Sequence, residues 1–198
     1  MQETNFKTDL AVLLNGPPNC GKDTIADELV KLGYSKYTFK QSLYKATADF
    51  FNITLDTFLM LANSRVAKET KNILLKHPSF DSLLSPREAL IFVAEEVIKP
   101  TYGNSYFGCQ TSAQIEADQP SKVVISDCGF EYEIKPIQNI TNKVIVVSLY
   151  KKDCLFNNDS RNYILKYPIV YKVDVEEGNI SGTVDAVLAC INEEIEHA

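Results

Sequence analysis

The chain has 198 residues, of which 45% are hydrophobic, and this is enough for one domain with a packed interior. Its net charge of −6 and its isoelectric point near 5.0 argue against a nucleic acid or an anionic membrane surface as the main partner. The five cysteines have no C-x-x-C spacing, and with only two histidines in the chain this argues against a disulfide framework or a structural zinc site. Because the sequence has neither a signal peptide nor an apolar span of about 18 residues, we expect a soluble protein of the cytoplasm.

The first predicted elements are a strand and a helix. Residues 1–8 are polar and are expected to fray, whereas the uncharged apolar run 10–14 has the length of a buried strand. A helical pattern starts at Lys22, and Gly33 is expected to cap its C-terminus. The apolar residues on one face of this helix are Ile25, Leu29 and Leu32.

A glycine-bracketed loop joins this strand to this helix. Gly16-Pro-Pro-Asn-Cys-Gly21-Lys22 has the G-x-x-x-x-G-K spacing of a phosphate-binding loop. The two glycines permit backbone angles at which successive N–H groups form an anion nest, and the helix directs its positive end into that nest. Lys22 adds a full charge for the β- and γ-phosphates, so the loop predicts a site for ATP. The residues predicted to bind ATP are Gly16, Pro17, Pro18, Asn19, Cys20, Gly21, Lys22, Asp23 and Thr24.

One position departs from the usual loop. Asp23 follows the lysine where Ser or Thr normally brings a hydroxyl to Mg²⁺. Asp23 could hold Mg²⁺ through a coordinated water, or Thr24 could supply the hydroxyl, and the sequence leaves both open. Cys20 lies within the loop, but no catalytic partner is apparent, so we interpret it as incidental.

The rest of the chain alternates predicted helices and strands. The further predicted strands are 35–39, 122–127, 143–149 and 168–174. The predicted helices are 41–51, 54 to about 75, 85–99 ended by Pro100, 104–117, 130–139 and a last one from about Thr183. A loop is expected at 79–84, and Ser85-Pro-Arg-Glu88 is a complete capping box.

This alternation predicts the architecture. Strands that are apolar on both faces are typical of a parallel sheet covered by helices on both sides, which gives a five-stranded three-layer α/β/α sandwich. Ligands of such sheets bind beyond the carboxyl ends of the strands. We therefore expect the loop, Phe39, Asp127 and the segment after Leu149 to line one cleft.

The chain has three arginines, and each is a candidate for binding phosphate. Arg87 is the second residue of a capped helix, where a bound phosphate would offset an unfavourable helix dipole; a solvated arginine is the alternative. Arg161 lies between the last two strands, where a lid would be inserted; a basic patch on a solvated loop is the alternative. Arg65 is placed mid-helix near Lys68 and Glu69, and a surface ion pair explains it equally well.

A carboxylate and several aromatic rings complete the candidates. Asp127 ends a buried strand, as does the carboxylate that orders Mg²⁺ or its water in phosphate-loop enzymes; capping of the next helix is the alternative. A nucleotide base could stack on an aromatic ring, although such rings more often belong to the core. The rings considered are Phe39, Tyr44, Phe58 and Phe107.

Three segments resemble one family, the bacteriophage deoxynucleoside monophosphate kinases. Gly16-Pro-Pro-Asn-Cys-Gly-Lys-Asp-Thr-Ile-Ala-Asp27 is similar to that family's G-x-x-x-x-G-K-D-T-x-A-D loop, in which the aspartate after the lysine is usual. Ser85-Pro-Arg-Glu-Ala-Leu90 is similar to its T-P-R-E-x-L segment. Val123-Val-Ile-Ser-Asp127, followed by Phe130 and Glu133, is similar to its strand-Asp-x-Arg-Phe-x-x-Glu segment.

The resemblance implies a P-loop nucleoside monophosphate kinase fold in a single domain over 1–198. It implies a monophosphate-binding helical region at about 40–120 and a lid at about 150–167. A homodimer is a further possibility that the resemblance raises. ATP and Mg²⁺ would be the co-substrates, and a deoxynucleoside monophosphate would be the acceptor. If the protein is encoded by a phage, its location would be the host cytoplasm. Carried over by position, the resemblance implies that Lys22 and the loop backbone hold ATP, that Arg87 faces the acceptor phosphate and that Asp127 lies at the metal side. With the candidates argued from the residues themselves, the predicted catalytic residues are Lys22, Arg87, Arg161 and Asp127, the predicted substrate-binding residues are Phe39, Lys40, Arg65 and Arg87, and the predicted metal residues are Asp23 and Asp127.

Two departures from the family pattern bear on function. Gly129 stands where the family has an arginine, so one expected phosphate ligand is missing. Phe39-Lys-Gln-Ser-Leu-Tyr-Lys45 matches the family's F-A-D-P-L-K only at Phe39 and Leu43. The sequence thus predicts transfer of the γ-phosphoryl group of ATP to a nucleoside monophosphate. A P-loop kinase of another small acceptor, or a nucleotide-binding protein that has lost turnover, is the alternative.

Overall fold

A five-stranded parallel sheet forms the centre of one of the two units in the computed structural model, which describes residues 7–157 and 161–196. The first unit comprises Met1–Phe39 and Gly108–Ala198, and the second comprises Lys40–Phe107. The strands are β1 (Thr8–Asn15), β2 (Ser35–Tyr37), β3 (Asn72–Lys76), β4 (Leu83–Leu84), β5 (Lys122–Cys128), β6 (Thr141–Lys151) and β7 (Val170–Val175). The helices are α1 (Lys22–Lys31), α2 (Lys40–Phe50), α3 (Leu55–Leu61), α4 (Arg65–Glu69), α5 (Pro86–Phe92), α6 (Lys99–Tyr102), α7 (Tyr106–Asp118), α8 (Glu131–Asn139) and α9 (Ile180–Glu196), with a π-helical stretch Val93–Ile98 between α5 and α6.

The sheet of the first unit confirms the predicted fold class. Its strand order is β2-β5-β1-β6-β7, and every neighbouring pair is parallel. Helices α1 and α9 bury their apolar faces on one side of the sheet, while α8 packs against β6. Because β1 is completely buried from Ala11 to Asn15, its side chains pack on both faces, which explains its uninterrupted apolar sequence.

The N-terminal end of β1 corrects one prediction. Thr8 does not fray but begins the strand, since its N–H donates to the carbonyl of Ile140 at 3.0 Å and its hydroxyl to that of Pro120 at 3.1 Å. Residues 1–6, which are also part of the predicted frayed segment, lie outside the described residues. The lid predicted at about 150–167 overlaps the end of β6, and its residues 158–160 likewise lie outside the described residues.

A register shift distinguishes the C-terminal end of β5. Leu13 pairs with Ile125, but Asn15 pairs with Cys128, so β5 has one extra residue opposite the end of β1. Such a bulge changes the direction of the side chains it contains, and bulges are common beside functional sites. The bulge contains Ser126 and Asp127. The Ser126 hydroxyl donates to Asp23 in the first turn of α1, and Asp127 accepts the N–H of Phe39, which follows β2.

The second unit has its own core and corrects another prediction. The helix expected from 54 to about 75 is wrong: α3 and α4 are short, and residues 72–76 form a strand that pairs antiparallel with β4. Because α4 buries none of its residues, a continued helix would have had no face to pack. The strand instead buries Leu75 beside Phe58 and Leu84, and β4 replaces part of the loop expected at 79–84.

The helix that follows the capping box also differs from its prediction. It does not end at Pro100 but continues to Tyr102 and ends at Gly103, whose φ is +87°. The π-helical stretch ends at Ile98, two residues before this proline, and such a wider turn accommodates a residue that lacks an N–H. Within the described part of the chain, no helix is both long and apolar enough to span a membrane.

We expect the capping box of α5 to give a pH-dependent stability. Glu88 accepts the Ser85 N–H at 2.7 Å, and this hydrogen bond, ahead of the nearby Lys71, lowers the pKa of Glu88. A lowered carboxyl pKa stabilises the fold above the unfolded value, near 4.5, and this contribution is lost as the pH falls through the folded value. Glu88→Gln should therefore cost about 0.5 kcal/mol at pH 7 and less at pH 3, as measured by urea unfolding. Glu96→Gln, at an exposed carboxylate further along the same helical run, is the control, and an equal cost for Glu88→Gln at both pH values would contradict the assignment.

Candidate phosphate-binding site

The loop between β1 and α1 has the backbone of an anion nest. Gly16, Asn19 and Gly21 all have positive φ angles, of 154°, 66° and 100°. A Cβ added to Gly16 would lie 2.7 Å from Cys20 Sγ and 2.8 Å from the carbonyl oxygen of Leu149, so this position has no space for a side chain. Left-handed residues alternating with right-handed ones turn successive N–H groups to one side, at the positive end of α1. The loop is therefore shaped to receive an anion.

Lys22 places a buried ammonium within this loop. The residue is 9% exposed, and its Nζ donates to the carbonyl oxygens of Gly16 and Pro17, both at 2.7 Å. Burial lowers the pKa of Lys22, and the nearby charge of Arg161 lowers it further. Among the described residues, the hydrogen-bond partners of the ammonium are these carbonyls and the thiol of Cys20, none of which is an anion. A phosphate beside the loop would supply the missing negative charge.

Cys20 fills space beneath the loop. Its side chain is completely buried, with Sγ 3.7 Å from Lys22 Nζ. Burial raises the pKa of the Cys20 thiol despite the opposing charge of Lys22. A thiol with a raised pKa is a weak nucleophile, so the structure agrees with an incidental residue. All five cysteines are free thiols.

The first turn of α1 is connected to the ends of β2 and β5. Asp23 Oδ1 accepts the Ser126 hydroxyl at 2.7 Å and lies 3.2 Å from Lys36 Nζ, which also pairs with Asp27 at 2.9 Å. Burial opposes the charge of Lys36, but the hydrogen bonds to Asp27 and Asp23 outweigh it and raise the Lys36 pKa. Thr24 is exposed on the same turn. The choice between Asp23 and Thr24 at the metal stays open.

Asp127 lies in the bulge at the C-terminal end of β5. Its Oδ1 accepts the N–H of Phe39 at 2.9 Å, so it connects β5 to the residue that precedes α2. Capping of the helix after β5 stays the alternative interpretation of Asp127. The Phe39 ring is 3% exposed, and its stacking on a base stays a prediction. Among the described residues, no group of three or more His, Cys, Asp or Glu side chains could hold a metal ion.

Asn15, at the end of β1, is a residue that sequence reasoning missed. Its carboxamide is completely buried and donates to the carbonyl oxygens of Cys128 at 3.0 Å and Asn162 at 3.1 Å. Its Oδ1 accepts the Ile164 N–H at 2.9 Å and the Ser148 hydroxyl at 3.2 Å. One side chain thus joins the ends of β1, β5 and β6 to the segment that returns after residue 160. A polar residue that ends an apolar strand directly before the loop was the signal available in the sequence.

The segment that begins at Arg161 lies against these strand ends. Arg161 is partly buried, and its aliphatic stem lies beside Gly129. The Tyr163 hydroxyl donates to the carbonyl of Leu149 at 3.2 Å, and its ring stacks on Tyr150 with 4.1 Å between centroids. Burial raises the pKa of Tyr163 to about 12, so this donor keeps its proton at neutral pH. The segment after Leu149 therefore contacts the end of β1 and the end of β6 in the first unit, whereas the cleft expected here stays a prediction.

The remaining candidates belong to the second unit. Arg87 lies on α5 and pairs through Nε with Glu69 Oε1 at 2.5 Å, with both side chains about half exposed. Arg65 is exposed and is the first residue of α4, capped by Ser64, rather than a mid-helix residue. Lys40 is the first residue of α2. The roles of these residues in substrate binding stay predictions.

The strand order and the loop together define the class of protein as a P-loop α/β fold. No protein family model matches the chain. A cytidylate kinase of Thermodesulfovibrio yellowstonii is 29% identical over 90 residues, a match that covers 44% of this chain and 40% of that protein. The chain therefore aligns with less than half the length of this curated relative.

Two kinases are among the solved structures with which the chain was compared. A gluconokinase from Sinorhizobium meliloti superimposes with a TM-score of 0.49 and 11% identity, covering 96% of each chain. A dephospho-CoA kinase from Campylobacter jejuni superimposes with a TM-score of 0.45 and 13% identity, covering 93% of this chain and 98% of that one. The fold class of this protein rests on its own sheet order and loop geometry.

Proposed function

We propose that the protein transfers the γ-phosphoryl group of ATP to a nucleoside monophosphate. The observation that carries this proposal is the buried ammonium of Lys22, held inside a glycine-bracketed loop at the N-terminus of α1. A buried cation with neutral hydrogen-bond partners, at the positive end of a helix, has the charge and shape that a triphosphate requires. The sequence match to a cytidylate kinase supports a nucleoside monophosphate as the acceptor.

The residues present fit ATP and its metal ion. The backbone nest of Gly16, Asn19 and Gly21, together with the ammonium of Lys22, suits the phosphates. Of the two carboxylates, Asp23 lies in the first turn of α1 and Asp127 lies in the β5 bulge. When bound, Mg²⁺ would neutralise phosphate charge as the phosphoryl group moves. In this scheme Lys22 and the loop would hold the triphosphate, while Asp23 and Asp127 would orient the Mg²⁺ ion.

The proposed reaction needs positioning rather than a general base. The oxygen of an acceptor phosphate is already ionised at neutral pH, so no side chain has to remove a proton from it. His77, the histidine that the described residues include, belongs to the hairpin of the second unit and packs against Phe80 and Phe92. The cations Lys22 and Arg161 would then stabilise charge on the transferred group, and Arg87 would bind the acceptor phosphate.

A coupled assay of ADP release tests this proposal. The panel consists of the ribo- and deoxynucleoside monophosphates, beginning with CMP and dCMP, together with gluconate, shikimate and dephospho-CoA. We expect turnover with at least one monophosphate. Turnover only with another acceptor, or binding of ATP and Mg²⁺ by calorimetry without turnover on any acceptor, would overturn the monophosphate assignment.

We expect Arg87 to affect the acceptor more than ATP. Arg87→Ala should raise the KM of the monophosphate about tenfold or more and leave the KM of ATP within about twofold, because a guanidinium binds phosphate through charge-assisted hydrogen bonds. Glu69→Gln, which removes the negative charge that now pairs with Arg87, is the matched variant and should not raise the acceptor KM. An unchanged acceptor KM in Arg87→Ala would remove Arg87 from the acceptor site.

A further inference from the structure

The space that a side chain would fill at Gly129 is occupied by Arg161. Gly129 is buried and directly follows β5. A Cβ built on it would lie 2.5 Å from Arg161 Cγ and 2.9 Å from Arg161 Cβ, and it would also overlap Arg161 Cδ. Ordinary van der Waals contacts begin at 3.4 Å. Gly129 has no positive φ, so glycine is needed here for space and not for its backbone conformation.

Asn15 holds the two residues beside each other. Its Nδ2 donates to the carbonyl of Cys128, the residue before Gly129, and to the carbonyl of Asn162, the residue after Arg161. Its Oδ1 accepts the N–H of Ile164. Because Asn15 is completely buried and directly precedes the loop, these hydrogen bonds fix the backbone of Arg161 at the end of β1.

The charge of Arg161 lies close to the ammonium of Lys22. The guanidinium disfavours the charged form of Lys22 and so lowers its pKa. Two cations near each other in a partly buried site both attract an anion, so a phosphate bound at the loop would interact with both Lys22 and Arg161.

We propose that Gly129 and Asn15 are positioning residues that hold Arg161 against the phosphate-binding loop, where its guanidinium binds the phosphates between which the phosphoryl group moves. This inference rests on the proposed function. At position 129 the sequence has glycine in place of the arginine expected as a phosphate ligand. In this proposal the same glycine provides the space that Arg161 occupies. The guanidinium comes from the segment after residue 160 instead of from the end of β5.

A double-mutant cycle between Gly129 and Arg161 tests the proposal. Arg161→Gly removes the whole stem and should lower kcat about 100-fold or more with the accepted monophosphate. Gly129→Ala should lower kcat about tenfold in the wild-type background, since it displaces Arg161, and less than about twofold in the Arg161→Gly background. Lys166→Gly removes an exposed cation from the same segment and is the matched control, with unchanged turnover expected.

A second variant tests whether the guanidinium itself matters. Gly129→Arg combined with Arg161→Gly returns a guanidinium to this place from the other backbone and should recover about tenfold or more of the kcat lost in Arg161→Gly. Independent effects of Gly129→Ala and Arg161→Gly on kcat would overturn the positioning role of Gly129. Wild-type turnover in Arg161→Gly would overturn phosphate binding by Arg161.

Thermal unfolding separates this inference from the proposed function. Gly129→Ala should lower Tm in the wild-type background and not in the Arg161→Gly background, whether or not an acceptor has been found. Absence of wild-type turnover with every acceptor would overturn the proposed function and the phosphate role of Arg161. Equal Tm losses in both backgrounds would overturn the contact itself.

Discussion

Replacing Lys22 by Met should lower kcat about 1,000-fold or more while the protein stays folded. Methionine keeps most of the aliphatic volume of the side chain but removes the ammonium that donates to the carbonyls of Gly16 and Pro17. In phosphoryl transfer the protein accelerates the reaction mainly by positioning the reactants and by stabilising charge. Loss of the Lys22 ammonium should therefore remove most of this rate acceleration. The measurement is kcat in the coupled assay, with calorimetry of ATP binding and far-ultraviolet circular dichroism on the same samples.

The shape of the Lys22 site makes a second substitution informative. The ammonium is 9% exposed and lies 2.7 Å from two carbonyl oxygens, a fit that the larger planar guanidinium does not reproduce. Lys22→Arg should therefore also lose about 100-fold or more in kcat, although it keeps the charge. Lys31→Met, at an exposed lysine of the same helix that pairs with Glu28, is the control. Activity within tenfold of wild type in Lys22→Met would remove this residue from the reaction.

Local sequence patterns were sufficient to predict the strand, loop and helix around Lys22. An apolar run, two glycines and an amphipathic helix lie next to each other in the chain, and each is determined by neighbouring residues. The parallel sheet was also predictable, because strands such as β6 are apolar on both faces over residues 144–147. The capping box at Ser85 was a third local signal, and both of its hydrogen bonds form.

The features that sequence reasoning missed depend on distant residues. The strand at 72–76 replaces a predicted helix because Leu75 gains a buried place beside Phe58, a contact that no local propensity encodes. Asn15 bonds to residues 113 and 147 positions away, and its role cannot be deduced from either segment alone. The contact of Gly129 with Arg161 is equally invisible in the sequence, since the residue that fills the space beside Gly129 comes from beyond β6.

Replacing Asn15 by Ala should give a large loss of stability. The change leaves the N–H of Ile164 and the carbonyls of Cys128 and Asn162 without their partner at a completely buried position. Each buried polar group without a partner costs about 1–3 kcal/mol, so we expect a total loss of about 3 kcal/mol or more in the free energy of unfolding. Urea unfolding at pH 7 measures it. Asn142→Ala, at an exposed asparagine of β6, should cost less than about 0.5 kcal/mol.

Replacing Asn15 by Asp separates hydrogen bonding from the loss of volume. Aspartate keeps the acceptor for the Ile164 N–H but directs an oxygen at the carbonyls of Cys128 and Asn162, and it buries a charge. Burial raises the pKa of a carboxyl in the folded state, so its cost is largest at neutral pH and decreases as the pH falls towards the unfolded value near 4. The stability difference between wild type and Asn15→Asp should therefore be smaller at pH 4 than at pH 7. A pH-independent difference would show that the side chain at position 15 is not buried as the structure has it.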